Sequence, residues 1–278
     1  MPELPEVETI ARGLNERIAG DTIDSVWLGS KPEPLKSPAA EIAAVLERSR
    51  IARVRRVGKH IVFDLETGRT EAQERAQWIV HLGMTGQLLI AAPETELLKH
   101  THAVLKLASG RELRFVDPRR FGRLAVTRID PRNGSGFTAP GDEPLDAAID
   151  HFISLFRNRK TPIKSALLNQ KLLSGVGNIY ADEALFRAGV RPRRRASSLT
   201  HDELKKLHRG LKDVLRQAIK LGGSSVSDYV DAEGREGFFQ LKHRVYGRET
   251  KPCLVCRTPI KRVIIAGRSS HYCPRCQT

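Results

Sequence analysis

The sequence predicts an α+β protein whose N-terminal half is rich in strands and whose C-terminal half is rich in helices. Apolar residues follow a strand-like period from residue 22 to residue 128 and a helical period after residue 144. All four cysteines lie within residues 253–276 as two Cys-x2-Cys pairs, a spacing typical of a small metal-bound module. These observations together indicate two main folding regions and a short C-terminal module.

The N-terminal half is predicted to begin with a helix. Pro5 suits an early helical position, apolar residues continue at helical spacing to Ile18, and Gly20 marks the end. A second helix is predicted over residues 38–48, and the polar segment 67–75 is predicted to be a surface excursion. Strands are predicted over 25–28, 51–65, 78–90, 103–107 and 112–127.

The two halves are separated by a segment rich in Gly, Pro, Ser and Asn, which predicts a linker over residues 131–144. Thr200 and Glu203 form a capping-box pattern at the start of the clearest helix beyond it. A loop rich in Gly, Ser and acidic residues follows this helix over residues 222–237. Helices are predicted over 145–157, 164–173, 178–188 and 200–221.

Charge and hydropathy narrow the classes of partner. Lys and Arg number 47 against 32 Asp and Glu, a net charge of +15, which favours nucleic acid as a polyanionic partner. The hydrophobic content of 40% argues against wholesale disorder. Apolar runs fall short of the ~18 residues of a membrane span, and Met1–Glu8 does not resemble a signal peptide. We therefore expect a cytoplasmic protein, nucleoid-associated through DNA, with no membrane partner.

The cysteine spacing predicts a zinc site formed by Cys253, Cys256, Cys273 and Cys276. Two disulfides are the alternative, which a reducing compartment disfavours. Four thiolates fill a tetrahedral shell, so we expect one structural Zn²⁺ and no catalytic metal. Strands over 261–266 and 270–272 would form a hairpin with Arg268 at its tip, where this arginine is either a probe for a ligand or a solvated charge.

Six motifs follow one another in order along almost the whole chain. They are PELPEVE at 2–8, HLGMTG at 81–86, DPRRFG at 117–122, GVGNIYADE at 175–183, VYGR at 245–248, and the cysteine segment ending at Gln277. This series closely resembles the bacterial formamidopyrimidine-DNA glycosylases.

The resemblance implies an N-terminal β-sandwich flanked by helices and a C-terminal helix-two-turn-helix bundle with a zinc-finger β-hairpin, with DNA in the cleft between them. It implies excision of oxidised purines, namely 8-oxoguanine and formamidopyrimidines, followed by β,δ-elimination at the abasic site. The expected partner is double-stranded DNA containing oxidised purines or abasic sites, bound by a monomer without a small-molecule cofactor. The implied divisions are 1–132 (catalytic), 133–148 (linker), 149–222 (helix-two-turn-helix), 223–240 (lesion-covering loop) and 241–278 (zinc finger).

The resemblance assigns catalytic roles to Pro2, Glu3, Lys59 and Arg268. Once Met1 is removed, the Pro2 amine can attack the sugar as a nucleophile, because an α-amino group has a pKa near ~8 and is partly neutral at pH 7. Glu3 matches the general acid/base, Lys59 the proton carrier of β-elimination, and Arg268 its counterpart in δ-elimination. Glu6 either supports this site or complements the helix dipole. The alternative to a catalytic role is helix initiation for Pro2. For Lys59 the alternative is a solvated surface charge.

A target base must leave the duplex to be excised, and the gap must be filled. By resemblance, Met84, Arg119 and Phe121 form the filling wedge, although Met84 and Phe121 could instead be ordinary core residues. Basic residues among the expected DNA contacts could alternatively be solvated surface charges. The expected contacts are His100, Arg119, Arg120, Arg159, Lys164, Asn178 and Tyr246, with Arg268 also pairing with a phosphate.

Three other functions remain open at this point. An endonuclease VIII-like enzyme acting on oxidised pyrimidines is disfavoured by Leu4, by the Arg119–Phe121 segment and by the long loop after residue 222. A damage-binding paralogue without catalysis would be expected to lose Pro2, Glu3 or Lys59. A nucleic-acid chaperone or zinc-ribbon scaffold explains the charge and the cysteines but not the N-terminal motif.

Overall fold

The computed structural model describes residues 2–67, 74–130, 134, 136–225 and 229–278. The chain divides into two compact units. The first comprises residues 1–138 and 222–237, and the second comprises residues 139–221 and 238–278. The five-part division drawn from the sequence stays a prediction.

The first unit contains, within its described residues, two antiparallel four-stranded sheets. One has the strand order β1-β6-β7-β5 and the other the order β2-β3-β4-β8. The strands are β1 (Ile23–Leu28), β2 (Ser49–Val57), β3 (His60–Thr67), β4 (Glu74–His81), β5 (Gln87–Ala91), β6 (Thr101–Leu107), β7 (Glu112–Val116) and β8 (Arg123–Ile129).

One hydrophobic core joins the two sheets of the first unit. Trp78 and Phe63 from one sheet and Phe115 from the other are fully buried in it. Two helices flank the sheets, α1 (Leu4–Ile18) and α2 (Ala39–Leu46). Helix α1 contributes a stripe of buried apolar residues at helical spacing, which anchors its polar N-terminus to the sheets.

Three of the predicted strands are wrong in extent, because each is two strands. The predicted strand 51–65 is interrupted at Gly58 and Lys59, and Val57 pairs with His60 across this turn. The other two are interrupted by the 82–86 loop and the 117–122 loop. Apolar residues lie on both sides of each interruption, so the period alone did not reveal them, although Gly58, Gly83 and Pro118 are turn signals within them. Of the predicted surface excursion 67–75, residues 68–73 lie outside the described part of the chain.

The second unit is mainly helical. The predicted helix 164–173 is too long, because the helix ends at Leu167 and turns occupy the following residues. The capping box of the last helix is confirmed: Glu203 N donates to Thr200 Oγ1 at 3.2 Å and Thr200 N to Glu203 Oε2 at 2.8 Å. The helices are α3 (Ile149–Phe156), α4 (Ile163–Leu167), α5 (Asn178–Ala188) and α6 (His201–Lys220).

The chain ends in an antiparallel hairpin of β9 (Lys261–Ile265) and β10 (Arg268–Tyr272). Ile265 pairs with Arg268, and the two residues between them, Ala266 and Gly267, have φ of 46° and 73°. Two central residues with positive φ are typical of a type I′ turn. Arg268 is therefore the first strand residue after the tip and is exposed. Among the described residues, the helices are all too short or too polar to cross a membrane.

Candidate functional site

The start of α1 buries three of the predicted site residues, Pro2, Glu3 and Glu6. Glu3 is the N-cap, and its main-chain N donates to Glu6 Oε2 at 2.8 Å within a capping box. The other Glu6 oxygen, Oε1, accepts from Ser224 N at 2.8 Å. Glu6 thus fixes both the backbone beside Pro2 and the beginning of the loop at residue 222.

Close packing against Glu6 requires a glycine at position 223. Gly223 has a φ of +83°, and a Cβ there would lie 3.0 Å from Glu6 Oε1. Tyr229 donates its hydroxyl proton to Gly222 O at 3.0 Å. Burial and the charge of Glu6 raise the pKa of Tyr229, so this phenol remains a donor. Residues 226–228 of the predicted lesion-covering loop lie outside the described residues.

Lys59 lies in the turn between β2 and β3 and is half-buried. Arg56, the last residue but one of β2, donates from a terminal guanidinium nitrogen to Gly58 O at 3.1 Å. Its Nε donates to Glu8 Oε2 at 2.7 Å. Burial acts to raise the pKa of Glu8, but Arg56 and Arg12 outweigh burial and leave that pKa below its usual value. Glu8 is therefore an ionised partner for Arg56.

Two histidines lie next to this turn, His60 on β3 and its cross-strand partner His81 on β4. The rings of His60 and His81 have centroids 4.9 Å apart. Burial lowers the pKa of both, and with the nearby charges of His60, Arg123 and Lys59 it lowers the pKa of His81 to about 4. Gly83 N donates to His81 Nδ1 at 3.2 Å, which requires this ring nitrogen to be unprotonated. A neutral His81 thus holds the 82–86 loop.

The 82–86 and 117–122 loops lock together around Asp117. This fully buried carboxylate accepts hydrogen bonds from Thr85 Oγ1 at 2.6 Å and from Gly122 N at 2.7 Å. A Cβ on Gly83 would lie 2.5 Å from the carbonyl carbon of Phe121, so only glycine permits this approach. The two motifs that contain these loops therefore form one rigid structure.

The interlocked loops leave the predicted wedge residues at the surface. Met84 is 40% exposed and Phe121 is 52% exposed, so the alternative that they are core residues is wrong. The guanidinium carbon of Arg119 lies 4.9 Å from the centroid of the Phe121 ring, a cation–π contact. His100 and Arg120 are also exposed, and Arg120 forms a 3.0 Å ion pair with Glu33.

Lys164 in the second unit differs from its predicted role. The sequence predicts that Lys164 contacts DNA, but its side chain is fully buried. Its Nζ lies 2.6 Å from Asp182 Oδ1 and donates to Ser269 O at 2.6 Å. The predicted direct contact is therefore wrong in this structure, because the ammonium is shielded from solvent and committed to internal partners. Lys164 instead fastens the backbone of β10 to α4 and α5.

Two buried carboxylates on α5 were missed by the sequence analysis. Asp182 Oδ2 accepts from His271 N at 2.8 Å, in addition to the ion pair with Lys164. Glu183 accepts from the main-chain N atoms of residues 244–246 at 2.9–3.0 Å. Burial raises the pKa of Glu183 despite these hydrogen bonds. Adjacent acids in the middle of a mostly apolar helix were the available signal.

Replacing Asp182 with asparagine is expected to lower the free energy of unfolding by about 3–5 kcal/mol, because it leaves the buried Lys164 ammonium without its counter-charge. Urea unfolding of the wild-type and variant chains measures this loss. Asp213→Asn, which removes a carboxylate of α6 that lies at the exposed surface, is the matched control and should change stability by less than about 0.5 kcal/mol. Equal effects of the two substitutions would contradict the buried ion pair.

The remaining predicted DNA contacts of the second unit lie in two places. Asn178 is the first residue of α5, and its Nδ2 is 3.5 Å from Ser269 Oγ, next to Arg268. Tyr246 is half-buried, with its ring centroid 5.1 Å from that of His271. Arg159 is exposed just after α3. Three of these residues therefore lie on β10 or contact it, namely Asn178, Tyr246 and Arg268. Arg159 lies in a different place, after α3.

The four cysteines form a site that fits zinc. Their Sγ atoms all lie within 4.8 Å of one another, and the Cys256–Cys273 and Cys253–Cys276 separations are 3.4 and 3.9 Å. Tetrahedral Zn²⁺ with Zn–S bonds of about 2.3 Å needs sulfurs about 3.8 Å apart. Main-chain N–H groups of Val255 and Cys276 donate to Sγ atoms, as is usual for thiolate ligands. These separations exclude disulfides.

Comparison with known proteins matches the whole length of the chain. Family models match residues 1–124 (formamidopyrimidine-DNA glycosylase N-terminal domain), 140–230 (its H2TH domain) and 251–278 (the zinc finger found in FPG and IleRS). The formamidopyrimidine-DNA glycosylase of Solibacter usitatus is 45% identical over 283 residues, which cover 100% of this chain and 99% of that protein. This chain belongs to the formamidopyrimidine-DNA glycosylase family.

Solved structures of formamidopyrimidine-DNA glycosylases have the same fold. The MutM (Fpg) protein of Thermus thermophilus has a TM-score of 0.84 and 42% identity, covering 99% of this chain and 98% of that one. The Lactococcus lactis Fpg in complex with DNA containing an abasic site has a TM-score of 0.88 and 32% identity, covering 99% of each chain. The predicted fold class, enzyme class and zinc finger are confirmed, and the chaperone or scaffold interpretation is wrong.

Proposed function

We propose that this chain excises oxidised purines from double-stranded DNA and then cleaves the strand at the resulting abasic site. The observation that carries this proposal is the buried start of α1, where Pro2 and Glu3 lie side by side and Glu6 holds the backbone of Glu3. Three buried functional side chains at one helix end form a preorganised site, which covalent catalysis requires.

The proposed first step is nucleophilic attack by Pro2. After removal of Met1, the secondary amine of Pro2 has a lone pair that forms a bond to the sugar C1′. The N-glycosidic bond breaks, and the base leaves with the bonding electrons and takes up the proton that the Pro2 nitrogen loses. Glu3 donates a proton to the sugar ring oxygen as the ring opens, which yields an iminium between Pro2 and C1′.

The proposed second step cuts the strand. Lys59 accepts a proton from C2′ of the iminium, the electron pair forms a C=C bond, and the 3′ phosphate leaves. In the δ-elimination a proton leaves C4′ to solvent, its electron pair forms a second C=C bond, and the 5′ phosphate leaves. Arg268 pairs with this phosphate as it leaves, since a guanidinium fork binds phosphate oxygens bidentately. Zn²⁺ held by the four cysteines would supply no chemistry, because its coordination shell is full, but it would hold the hairpin that carries Arg268.

DNA binding in this proposal uses residues that the duplex can reach. The wedge of Met84, Arg119 and Phe121 would fill the gap left by the flipped nucleotide, since an exposed thioether, a planar cation and an aromatic ring can all stack on bases. Exposed cations would bind phosphates along the strand. The further proposed contacts are His100, Arg120, Arg159, Asn178 and Tyr246, and one chain is proposed to act as a monomer.

Complexes of a relative support the proposed lesion class. The Lactococcus lactis Fpg has been solved with abasic-site DNA and with DNA containing an oxidised pyrimidine, and a mutant of it has been solved with DNA containing Fapy-dG. We propose formamidopyrimidines, 8-oxoguanine and abasic sites as substrates of this chain. The pyrimidine complex favours one further candidate activity, on oxidised pyrimidines, so such a lesion belongs in the substrate series.

Glu3→Gln tests the proposed chemistry. Single-turnover release of 8-oxoguanine from a duplex with cytosine opposite is expected to slow by about 100-fold or more, because the amide cannot transfer a proton. Glu16→Gln changes a carboxylate on the same helix that is 74% exposed, and it should leave the rate unchanged. A wild-type chain that binds the duplex but releases no base would instead identify a damage-binding paralogue.

A further inference from the structure

We infer that Arg56 and Glu8 are positioning residues for Lys59, and that this ion pair sets the turn from which the ammonium acts. The inference rests on the proposed function of Lys59 in strand cleavage. Glu8 lies on helix α1 and Arg56 on strand β2. Without a role for Lys59, their contact would serve only to pack the helix against the strand. The geometry points to a more specific role because Arg56 reaches past its own strand to the turn.

The contacts of Arg56 form a bridge with three members. Its Nε donates to Glu8 Oε2 at 2.7 Å, and a terminal nitrogen donates to the carbonyl oxygen of Gly58 at 3.1 Å. That carbonyl belongs to the peptide bond between Gly58 and Lys59. The guanidinium thus binds the backbone unit from which the Lys59 side chain departs.

The bridge is protected from solvent. The side chain of Arg56 is 6% exposed and that of Glu8 is 17% exposed, whereas Arg12, the second partner of Glu8, is 62% exposed. A paired charge of low exposure is screened little and holds its geometry better than a surface pair. Glu8 therefore has one buried partner that reaches the turn and one exposed partner that does not.

The position of Glu8 on α1 connects the bridge to the proposed nucleophile. The N-cap of the same helix is Glu3, beside Pro2, so the ion pair connects the helix of the proposed nucleophile to the turn of the proposed proton carrier. Misplacing a reacting group by about 1 Å costs on the order of 100-fold in rate. Loss of the bridge should therefore impair the proton transfer by Lys59 more than the attack by Pro2.

Arg56→Lys is the variant that tests this inference most directly. Lysine keeps the charge, but one ammonium on a flexible stem does not reproduce the planar fork that binds Glu8 and Gly58 O together. On a duplex with a preformed abasic site, two single-turnover rates are compared: formation of the borohydride-trapped adduct, and strand cleavage. We expect cleavage to fall about 10–100-fold and adduct formation to change less than about twofold. Glu8→Gln should show the same split.

Arg12→Lys is the control, since it alters the exposed partner of Glu8 and leaves both rates at the wild-type value. If Arg56→Lys lowers both rates in proportion, or leaves cleavage unchanged while the wild-type chain forms the adduct, the positioning role is overturned and the proposed function stands. If the wild-type chain forms no adduct, the proposed function fails and the inference fails with it.

Discussion

Pro2→Gly is expected to lower the rates of base excision and strand cleavage by about 100-fold, equivalent to about 2.7 kcal/mol of transition-state stabilisation. Glycine retains a terminal amine, but the iminium that it forms carries an N–H proton and can lose it to give a neutral imine, whereas the proline iminium has no such proton and stays charged. The flexible glycine backbone also no longer holds the nitrogen in one position. Affinity for abasic-site DNA should change little, because the proposed DNA contacts lie elsewhere.

Single-turnover kinetics and equilibrium binding on the same duplex separate these two effects. Pro5→Ala is the matched control, since it removes a second buried proline from the first turn of α1 without changing the terminal amine. Its rates should remain within a few-fold of the wild-type rates. A Pro2→Gly chain with full excision activity would remove Pro2 from the mechanism.

Cys273→Ser is expected to abolish stoichiometric zinc binding. Cys273 is fully buried and immediately follows β10, so its loss opens the coordination shell and releases the hairpin that presents Arg268. Structural zinc sites contribute about 10–16 kcal/mol of apparent binding free energy, far more than the hairpin's small apolar cluster can replace. We expect DNA affinity to fall with the zinc content.

Elemental analysis of the purified chains and binding to abasic-site DNA measure both losses. Val255→Ser is the control, because it places a serine in the other Cys-x2-Cys turn, between Cys253 and Cys256, at a side chain that is 68% exposed while keeping all four thiolates. This control should retain one zinc per chain. A Cys273→Ser chain with one zinc per chain would contradict the four-thiolate site.

The parts of the fold that could be predicted from sequence have local causes. The zinc site follows from the spacing of its ligands, and helix α6 from its capping box and apolar stripe. By contrast, the turn at Lys59 and the 82–86 and 117–122 loops are short interruptions with apolar strand residues on both sides. These loops are fixed by contacts between distant segments, such as Thr85 with Asp117, which periodicity does not contain.

Lys164 and Asp182 illustrate why part of the candidate site could not be predicted. A lysine near a DNA-binding motif suggests a phosphate contact, and only the folded chain reveals that Asp182 and Ser269 O enclose it. The exposure of Met84 and Phe121 was likewise undecided, since both residue types are common in cores. In each instance burial, which depends on tertiary packing, decides between the alternatives.

Covalent attachment of Pro2 to the damaged nucleotide is the step on which the proposed mechanism depends. Borohydride trapping on a duplex with one 8-oxoguanine opposite cytosine, followed by peptide mapping of the adduct, detects this attachment. We expect one adduct, on a terminal peptide that begins at Pro2 with Met1 removed. An adduct on Lys59 or another lysine, or tight binding to this duplex without any adduct, would contradict the mechanism.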